Sequence, residues 1–162
     1  MSIEELPWIL NLIWRILPAY IANASPLVLI RRGHPIDGGR TFIDGKPVLG
    51  AGKTIEGFLA GIILGTLTGL IQGRGIVAFM LSLGAMCGDL LGSFIKRRIG
   101  IKRGRPAPIL DQTSFLLGAL AFSSILEHYT LMDVVVLIVI TIPLHLISNI
   151  IAYLLKIKRV PW

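Results

Sequence analysis

Residues 84–112 read GAMCGDLLGSFIKRRIGIKRGRPAPILDQ, an apolar run that is broken by one acid and then ends in basic residues. Asp89 is followed by a hydroxyl at i+4, Ser93, and by a basic cluster that begins at Lys96. A helix with 3.6 residues per turn places Asp89, Ser93 and Lys96 roughly on one face, with Arg97 beside them. An ionised acid inside a bilayer is costly unless it faces a polar cavity or a partner. The stretch therefore predicts a membrane helix that carries a functional site towards one end.

The composition of the chain excludes most soluble classes. Of its 162 residues, 54% are hydrophobic and only 15% are charged, whereas soluble domains carry about 25% charged residues. The length suits a single transmembrane domain, residues 1–162. The net charge of +7 would suit nucleic acid, but so apolar a chain leaves no free surface for a duplex. We therefore expect membrane lipids as partners, and no nucleic acid. The single cysteine, Cys87, excludes a disulfide framework and is expected to be a small buried side chain.

Five apolar runs approach the roughly 20 residues that a helix needs to cross the hydrocarbon layer. The first is interrupted by Pro18 and Pro26, and the short fourth run is expected either to begin nearer Ile109 or to be shielded by its neighbours. The pattern predicts an all-α integral membrane protein with five transmembrane helices, at residues 6–30, 55–71, 76–95, 113–126 and 131–155.

The basic residues orient this bundle. Loops 31–54 and 96–112 and the C-terminal tail hold 14 of the 16 Lys and Arg residues, and in a five-span chain all three segments lie on one side. Cytoplasmic segments of membrane proteins are enriched in Lys and Arg. We therefore expect a multi-pass protein of the cell membrane with its N-terminus outside, its C-terminus in the cytoplasm, and both polar loops cytoplasmic.

Loop 31–54 contains two glycine-rich turns. Residues 44–45, Asp-Gly, lie between short extended segments and predict a tight hairpin. Residues 50–54, GAGKT, resemble a nucleotide-binding loop, but Pro47 stands where the Walker spacing requires glycine and no strand precedes it. The sequence thus argues against a P-loop NTPase.

A weaker inference about the same turn remains. A glycine-rich turn that enters a helix offers unpaired N–H groups and the positive end of the helix dipole to an anion, and Lys53 adds a charge. The alternative is a flexible loop in which Thr54 caps the next helix and Glu56 occupies its first turn.

Loop 96–112 carries six basic residues between two acids, Asp89 and Asp111. The basic residues alone could anchor the loop to anionic headgroups, with Arg103 in the solvated or headgroup-facing part. Asp111 alone could be an N-cap, and Asp89 could contact a polar residue of another helix, such as Asn23, Arg15 or Asn149. Together, however, the acids bracket a basic loop on one membrane side. Magnesium typically binds one or two carboxylates plus substrate phosphates, so the pattern favours a site for a metal-bound polyphosphate.

The order acid, serine, Lys-Arg, basic loop, second acid resembles the C-terminal signature of the CTP:phosphatidate cytidylyltransferases, or CDP-diacylglycerol synthases. Residues 52–57, GKTIEG, resemble the Lys-Lys-Thr-Trp-Glu-Gly segment of those enzymes. The short five-span form, with PAYIANASP at residues 18–26, resembles their archaeal branch, the CDP-archaeol synthases. The classical signature continues with Gly-His-Gly-Gly and an Asp-Arg pair, where this chain has RPAP at 105–108 and Asp-Gln at 111–112. No histidine of the signature can therefore be transferred to this loop.

The resemblance implies a membrane enzyme that transfers CMP from CTP to an isoprenoid ether-lipid phosphate, 2,3-bis-O-geranylgeranylglycerol 1-phosphate, and releases pyrophosphate. It implies Mg²⁺ as cofactor, with Mn²⁺ as a substitute, held by Asp89 and Asp111, which are catalytic together with Lys96. Around the CTP phosphates it implies Lys53, Thr54, Glu56, Ser93, Lys96 and Arg97. A less secure set for the cavity or the lipid phosphate comprises Asn23, Ser25, Asp37, Arg40 and Asp44. His145 could reach a lipid phosphate, but a packing role is the stronger interpretation.

A different class of function also fits an acid in a membrane helix. A small transporter or assembly factor would use Asp89 as a relay or gate. Transporters usually have repeated halves, whereas five spans cannot divide equally and no internal repeat is visible. A relay would also spread polar residues over the depth of the membrane, while here they crowd one face. Both arguments favour the enzyme.

Overall fold

The structure, a computed structural model, describes residues 7–30, 32–158 and 160. The helices are α1 (Trp8–Leu29), α2 (Ile55–Ile71), α3 (Gly75–Arg98), α4 (Leu110–Ser123) and α5 (Leu131–Leu154). Within the described residues extended pairing is confined to two isolated bridges between α1 and α2, so the predicted all-α class is confirmed. Helices α1, α3 and α5 are long and apolar enough to cross a membrane, while α2 is a shorter apolar helix. The chain is a multi-pass membrane protein; five crossings and their orientation stay predictions.

The predicted bounds agree closely with most helices. The second is exact and the fifth ends one residue early. The fourth begins at Leu110, beside the predicted Ile109, and ends three residues before the predicted Leu126. The third is longer than predicted, because Lys96, Arg97 and Arg98 form its last turn instead of the start of a loop. Cations are favourable at a helix C-terminus, where the backbone carbonyls carry partial negative charge.

The predicted interruption of the first helix is wrong, because α1 continues through Pro18 and Pro26. A proline removes one intrahelical N–H donor, but packing against neighbouring helices offsets that loss in membrane proteins. Here the carbonyl oxygen of Trp14, which Pro18 leaves without its usual helical donor, accepts from the side-chain amide of Gln72 at the end of α2 at 2.9 Å. The predicted first residue, Leu6, lies outside the described residues.

Glycines set the distance between the helices. On α2 a stripe of glycines every four residues is buried against α1 and α3. On α3, Gly84 and Gly88 meet the backbone of α4, and a Cβ added at Gly88 would overlap the carbonyl oxygen of Ser114. Membrane helices gain little from hydrophobic burial against one another, so small residues that allow close contact are decisive. This packing brings the C-terminal half of α3, which leads into loop 96–112, against the start of α4.

The buried core lies among α1, α3 and α4, with residues such as Ile16, Leu81, Phe115 and Leu116 almost fully shielded. Helix α5 packs mainly against α4 and α1, and only 17% of its most apolar stretch is buried inside the bundle. Cys87, which was predicted to be buried, is only partly so. The bundle therefore has a tight centre and one helix that is loosely held at its side.

The end of the bundle opposite the two loops is closed by an ion cluster. Arg15 of α1 and Arg74 of the α2–α3 turn both pair with Glu127, which follows α4. Burial opposes the ionisation of Glu127, but hydrogen bonds and charge from Arg74 and then Arg15 hold its pKa below the ordinary value. Arg15 is thus engaged at this end, so the suggestion that it contacts Asp89 is wrong.

Candidate active site

The segment between α1 and α2 contains the predicted hairpin. Thr41 and Pro47 form an antiparallel bridge, the backbone N–H of Phe42 donates to the carbonyl oxygen of Lys46 at 2.8 Å, and that of Gly45 donates to Phe42 at 2.9 Å. Gly45 has φ of +73°, a conformation that glycine adopts at little cost. The hairpin prediction is therefore confirmed.

Arg98, at the end of α3, docks this hairpin onto the bundle. Its guanidinium contacts the Asp44 carboxylate at 2.9 Å and lies 4.7 Å from the ring centres of Phe42 and Phe94. In return, the ammonium group of Lys46 donates to the carbonyl oxygen of Arg98 at 2.7 Å. Asp44, a less secure site candidate, thus holds the loop against α3.

Asp37 shapes the glycine-rich turn that follows the hairpin. Its carboxylate accepts hydrogen bonds from the backbone N–H groups of Leu49, Gly50 and Gly39 at 2.9–3.0 Å. Partial burial opposes ionisation, but these bonds hold the pKa of Asp37 below its ordinary value. Arg40 is exposed on the same loop, and both residues line an open cavity of about 460 Å³.

Two residues predicted near the CTP phosphates have other partners in this structure. Thr54 caps α2 by accepting from the N–H of Gly57 at 3.2 Å, as the alternative interpretation supposed. Glu56 accepts from the backbone N–H of His34 at 2.8 Å and contacts its Nδ1 at 2.6 Å. Both residues therefore stabilise the junction of loop and helix, and their contact with CTP stays a prediction.

Two lysine–carboxylate pairs lie at the loop end of α3, and the first joins Lys53 to Asp89. Lys53 Nζ and Asp89 Oδ2 are 2.5 Å apart, at a small cavity between the glycine-rich turn and α3. Sequence analysis placed both residues among the site candidates but did not pair them with each other. The alternatives Asn23 and Asn149 are not hydrogen-bonded to Asp89 in the described part of the chain.

The second pair joins Lys96 to Asp111. In this pair α3 supplies the cation and α4 the acid, whereas in the first pair α3 supplies the acid. Lys96 Nζ donates to both Asp111 oxygens, at 2.9 and 3.0 Å, and to the carbonyl oxygen of Arg105 at 2.9 Å. The N–H of Ala107 completes the acid's contacts at 2.9 Å. Asp111 lies inside the first turn of α4, after the N-cap Ile109, so the N-cap interpretation of Asp111 is wrong.

Polar groups between and beside these pairs are not fully satisfied. Ser93 lies half-buried between Asp89 and Lys96 on α3. Arg97 is only 9% exposed, and its Nε has no hydrogen-bond partner among the described residues. The same holds for Oε1 of the buried Gln112, which sequence analysis did not single out. Buried polar atoms are nearly always paired, so Arg97 Nε and Gln112 Oε1 are candidate contacts for a ligand or for water at this end of the bundle.

The donor set suits a magnesium ion that arrives with its substrate. No group of three or more His, Cys, Asp and Glu side chains comes together in residues 7–30, 32–158 and 160, so this part of the chain offers no complete metal cage. It offers two partly exposed carboxylates, Asp89 and Asp111, near the same helix end. Magnesium commonly takes one or two carboxylates and completes its shell with phosphates and water.

The remaining predicted residues are less directly connected to the pairs. Asn23 is half-buried on α1, and the Ser25 hydroxyl donates to the carbonyl oxygen of Ile21 within the same helix at 2.5 Å. Arg103, assigned to the solvated part of its loop, is exposed, and its guanidinium also lies over Gly52, 3.3 Å from where a Cβ would lie. The second loop thus touches the glycine-rich turn of the first.

Helix α5 and the segment that follows it contribute polar residues to this end of the bundle. Lys158, counted from the sequence as a topological charge, donates to Asn149 Oδ1 at 2.8 Å, and Asn149 Nδ2 is 3.2 Å from His145 Nδ1. The spacing of His145 and Asn149, four residues on one helix face, was the available signal.

Comparison with known proteins identifies the family. A family model described as "CarS-like: CDP-archaeol synthase" matches residues 5–75 and 73–162. The CDP-archaeol synthase of Methanocaldococcus jannaschii is 46% identical, over 93% of this chain and 95% of its own. That of Pyrococcus abyssi is 47% identical, over 92% and 95%. A solved structure of "an intramembrane enzyme for archaeal membrane lipids biosynthesis" is 46% identical and covers 88% of this chain and 94% of its own, with a TM-score of 0.80. The chain belongs to the CDP-archaeol synthase family.

Proposed function

We propose that this chain transfers CMP from CTP to an isoprenoid ether-lipid phosphate, 2,3-bis-O-geranylgeranylglycerol 1-phosphate, and forms CDP-archaeol and pyrophosphate. One observation carries the proposal: in a member of the CDP-archaeol synthase family, two lysine–carboxylate pairs lie at one end of the membrane helices. These pairs combine the cations that bind phosphates with the carboxylates that bind a divalent ion.

The reaction needs little acid–base chemistry from the protein. An oxygen of the lipid phosphate attacks the α-phosphorus of CTP and forms a new P–O bond. The bond from that phosphorus to the oxygen bridging to the β-phosphorus breaks, and the electron pair leaves with pyrophosphate. A phosphate monoester is already largely anionic at neutral pH, so no strong general base is required. Catalysis then consists of positioning and charge neutralisation.

The ion pairs suggest how the substrate is received. Lys53 and Lys96 each hold a carboxylate in this structure. When CTP binds, we infer that both ammonium groups turn to its phosphates, which frees Asp89 and Asp111. Ser93 and the buried Arg97 lie on the same helix end and add donors to the phosphate site. Thr54 and Glu56 hold the glycine-rich turn from which Lys53 reaches the site.

We assign Asp89 and Asp111 to the divalent ion, Mg²⁺ with Mn²⁺ as a substitute. When bound, the ion supplies Lewis-acid polarisation and neutralises phosphate charge. The freed carboxylates offer oxygen ligands, and their own charge balances that of the ion.

The site is proposed to face the cytoplasm, where CTP is available. The positive-inside rule supports this orientation, since loops 31–54 and 96–112 hold 11 of the 16 basic residues. The two lysine–carboxylate pairs lie at one end of the bundle, and the Glu127 ion cluster lies at the other. A transporter with a relay through the membrane would need polar groups along the depth between these ends, so this distribution favours the enzyme.

The test is a product assay with purified protein, CTP labelled at the α-phosphate, and paired ether-prenyl and ester-acyl lipid phosphates. We expect CDP-lipid and pyrophosphate in equal amounts, with loss of activity in EDTA and recovery with Mg²⁺ or Mn²⁺. Asp89→Asn and Asp111→Asn are expected each to abolish activity, because a neutral amide keeps the shape but not the charge. Release of CDP or inorganic phosphate would place the attack at another phosphorus and contradict the proposal.

A further inference from the structure

The loop end of α5 carries a polar group of residues inside an otherwise apolar helix. His145 and Asn149 are four residues apart and share the inward face with the fully buried Thr141. Neighbouring side chains of this half of α5, Leu144, Leu146, Ile147 and Ile150, are exposed on the outer surface. Two polar side chains on the inward face of such a helix are costly unless they serve a ligand or each other.

The chain after α5 turns back to complete this group. Lys156 has φ of +58°, and the N–H groups of Ile157 and Lys158 both donate to the carbonyl oxygen of Ala152. This turn directs Lys158 Nζ to Asn149 Oδ1 at 2.8 Å.

The hydrogen bonds define which atom of His145 can donate. An ammonium group only donates, so the amide atom of Asn149 facing Lys158 must be its oxygen. The other amide atom is therefore NH₂, which donates to His145 Nδ1. The neutral imidazole then carries its proton on Nε2. No residue in the described part of the chain pairs with that N–H, which leaves a donor aimed away from Asn149.

This group lies within electrostatic range of the lysine–carboxylate pairs. The charge of Lys158 interacts with Asp111 and with Lys96, and His145 interacts electrostatically with Asp111 and Asp89. Burial lowers the pKa of Lys158, and Lys96 acts in the same direction while Asp111 opposes it. A dianionic ligand between these cations would relieve their mutual repulsion.

Resting on the function proposed above, we propose that His145, Asn149 and Lys158 form the subsite for the phosphate of the lipid acceptor. An imidazole N–H and an ammonium group suit a phosphate monoester, and the carboxamide fixes both of them.

The position of α5 distinguishes the lipid phosphate from the phosphates of CTP. Lys53 and the glycine-rich turn reach Asp89 from the α1–α2 loop, whereas His145 belongs to α5 and Lys158 to the turn that follows it. Helix α5 is also the most loosely packed of the long apolar helices, and its outer surface is apolar. A lipid that moves in from the bilayer beside α5 would bring its phosphate to this subsite while its chains stay in the hydrocarbon.

The experiment compares Lys158→Met and His145→Ala with the wild-type protein in detergent. The first measurement is equilibrium binding of ³²P-labelled 2,3-bis-O-geranylgeranylglycerol 1-phosphate without CTP. Loss of one charge-assisted hydrogen bond should raise Kd about tenfold to a hundredfold. The second is kinetics, in which KM for the lipid phosphate should rise similarly while KM for CTP stays within twofold. Lys158→Arg, which keeps the charge, should recover most of the affinity.

Three controls make the result specific. Lys156→Asn removes a charge from an exposed residue of the same segment, and asparagine tolerates the positive φ of that residue. This variant should change neither Kd nor KM for the lipid phosphate. The alcohol 2,3-bis-O-geranylgeranylglycerol, which lacks the phosphate, should inhibit wild type and Lys158→Met equally. Melting temperatures and size-exclusion profiles report any loss of folding.

Unchanged lipid binding in both Lys158→Met and His145→Ala would overturn the subsite, as would a rise confined to KM for CTP. If wild type binds the lipid phosphate through Lys158 but makes no CDP-lipid, the proposed function fails and the subsite stands.

Discussion

Replacement of Lys96 tests the proposed phosphate site most directly. Lys96 Nζ makes three hydrogen bonds at 2.9–3.0 Å, two of them to the Asp111 carboxylate, and its side chain is only 12% exposed. If it turns to the CTP phosphates, Lys96→Met removes at least one charge-assisted hydrogen bond in the transition state. Such bonds contribute about 1.5–3 kcal/mol, which corresponds to about a tenfold to 150-fold loss in kcat/KM.

The effect on folding should be smaller than the effect on catalysis. The Asp111 side chain is 31% exposed, so solvent can screen it after Lys96 is lost, and we expect a stability cost of only about 1 kcal/mol. Methionine keeps the length of the side chain, which limits cavity formation. Lys102→Ala is the matched control, because it removes an exposed charge from the same loop.

The assay is the initial rate of CDP-lipid formation as a function of CTP concentration. Lys96→Met is expected to lose at least tenfold in kcat/KM, and Lys102→Ala to stay within twofold of wild type. The double variant Lys96→Met with Asp111→Asn should lose less than the product of the two single losses, because the residues act as a pair. A Lys96→Met enzyme within threefold of wild type would refute the assignment of Lys96 to the phosphates.

Two further predictions concern packing and orientation. Gly88→Val places side-chain atoms where the Ser114 carbonyl lies, so we expect little folded protein on size exclusion, whereas the exposed Leu91→Ala should behave as wild type. Normal yield and activity of Gly88→Val would show that α3 and α4 do not need this close contact. Lys102→Cys should be labelled by an impermeant thiol reagent only from the cytoplasmic side, in a Cys87→Ala background. Labelling only from outside would invert the proposed topology.

The sequence was sufficient for features that depend on local pattern. Hydropathy and caps gave all five helices, with α2 exact, because the apolar runs are long and bounded by polar loops. Asp89 was found because a charge in an apolar run is rare, and Lys53, Lys96 and Asp111 because of the family resemblance; the structure brings all four to one end of α3.

Other features depend on distances between segments that are far apart in the chain. Nothing in the sequence indicated that Lys53 pairs with Asp89 and Lys96 with Asp111, since either lysine could have met either acid. The continuity of α1 through Pro18 was missed because the Trp14 carbonyl, which Pro18 leaves without its helical donor, accepts from Gln72, a tertiary contact.

The sequence by itself thus determined the class of the protein, its helices and the candidate residues of its site, because hydropathy, charge and helical periodicity are local. The tertiary structure decided which groups meet. Glycine contacts between α3 and α4 bring Asp111 beside Lys96, and the turn after α5 returns Lys158 to Asn149. Such pairings depend on how closely the helices approach one another, and that distance is fixed only when all the helices are packed together.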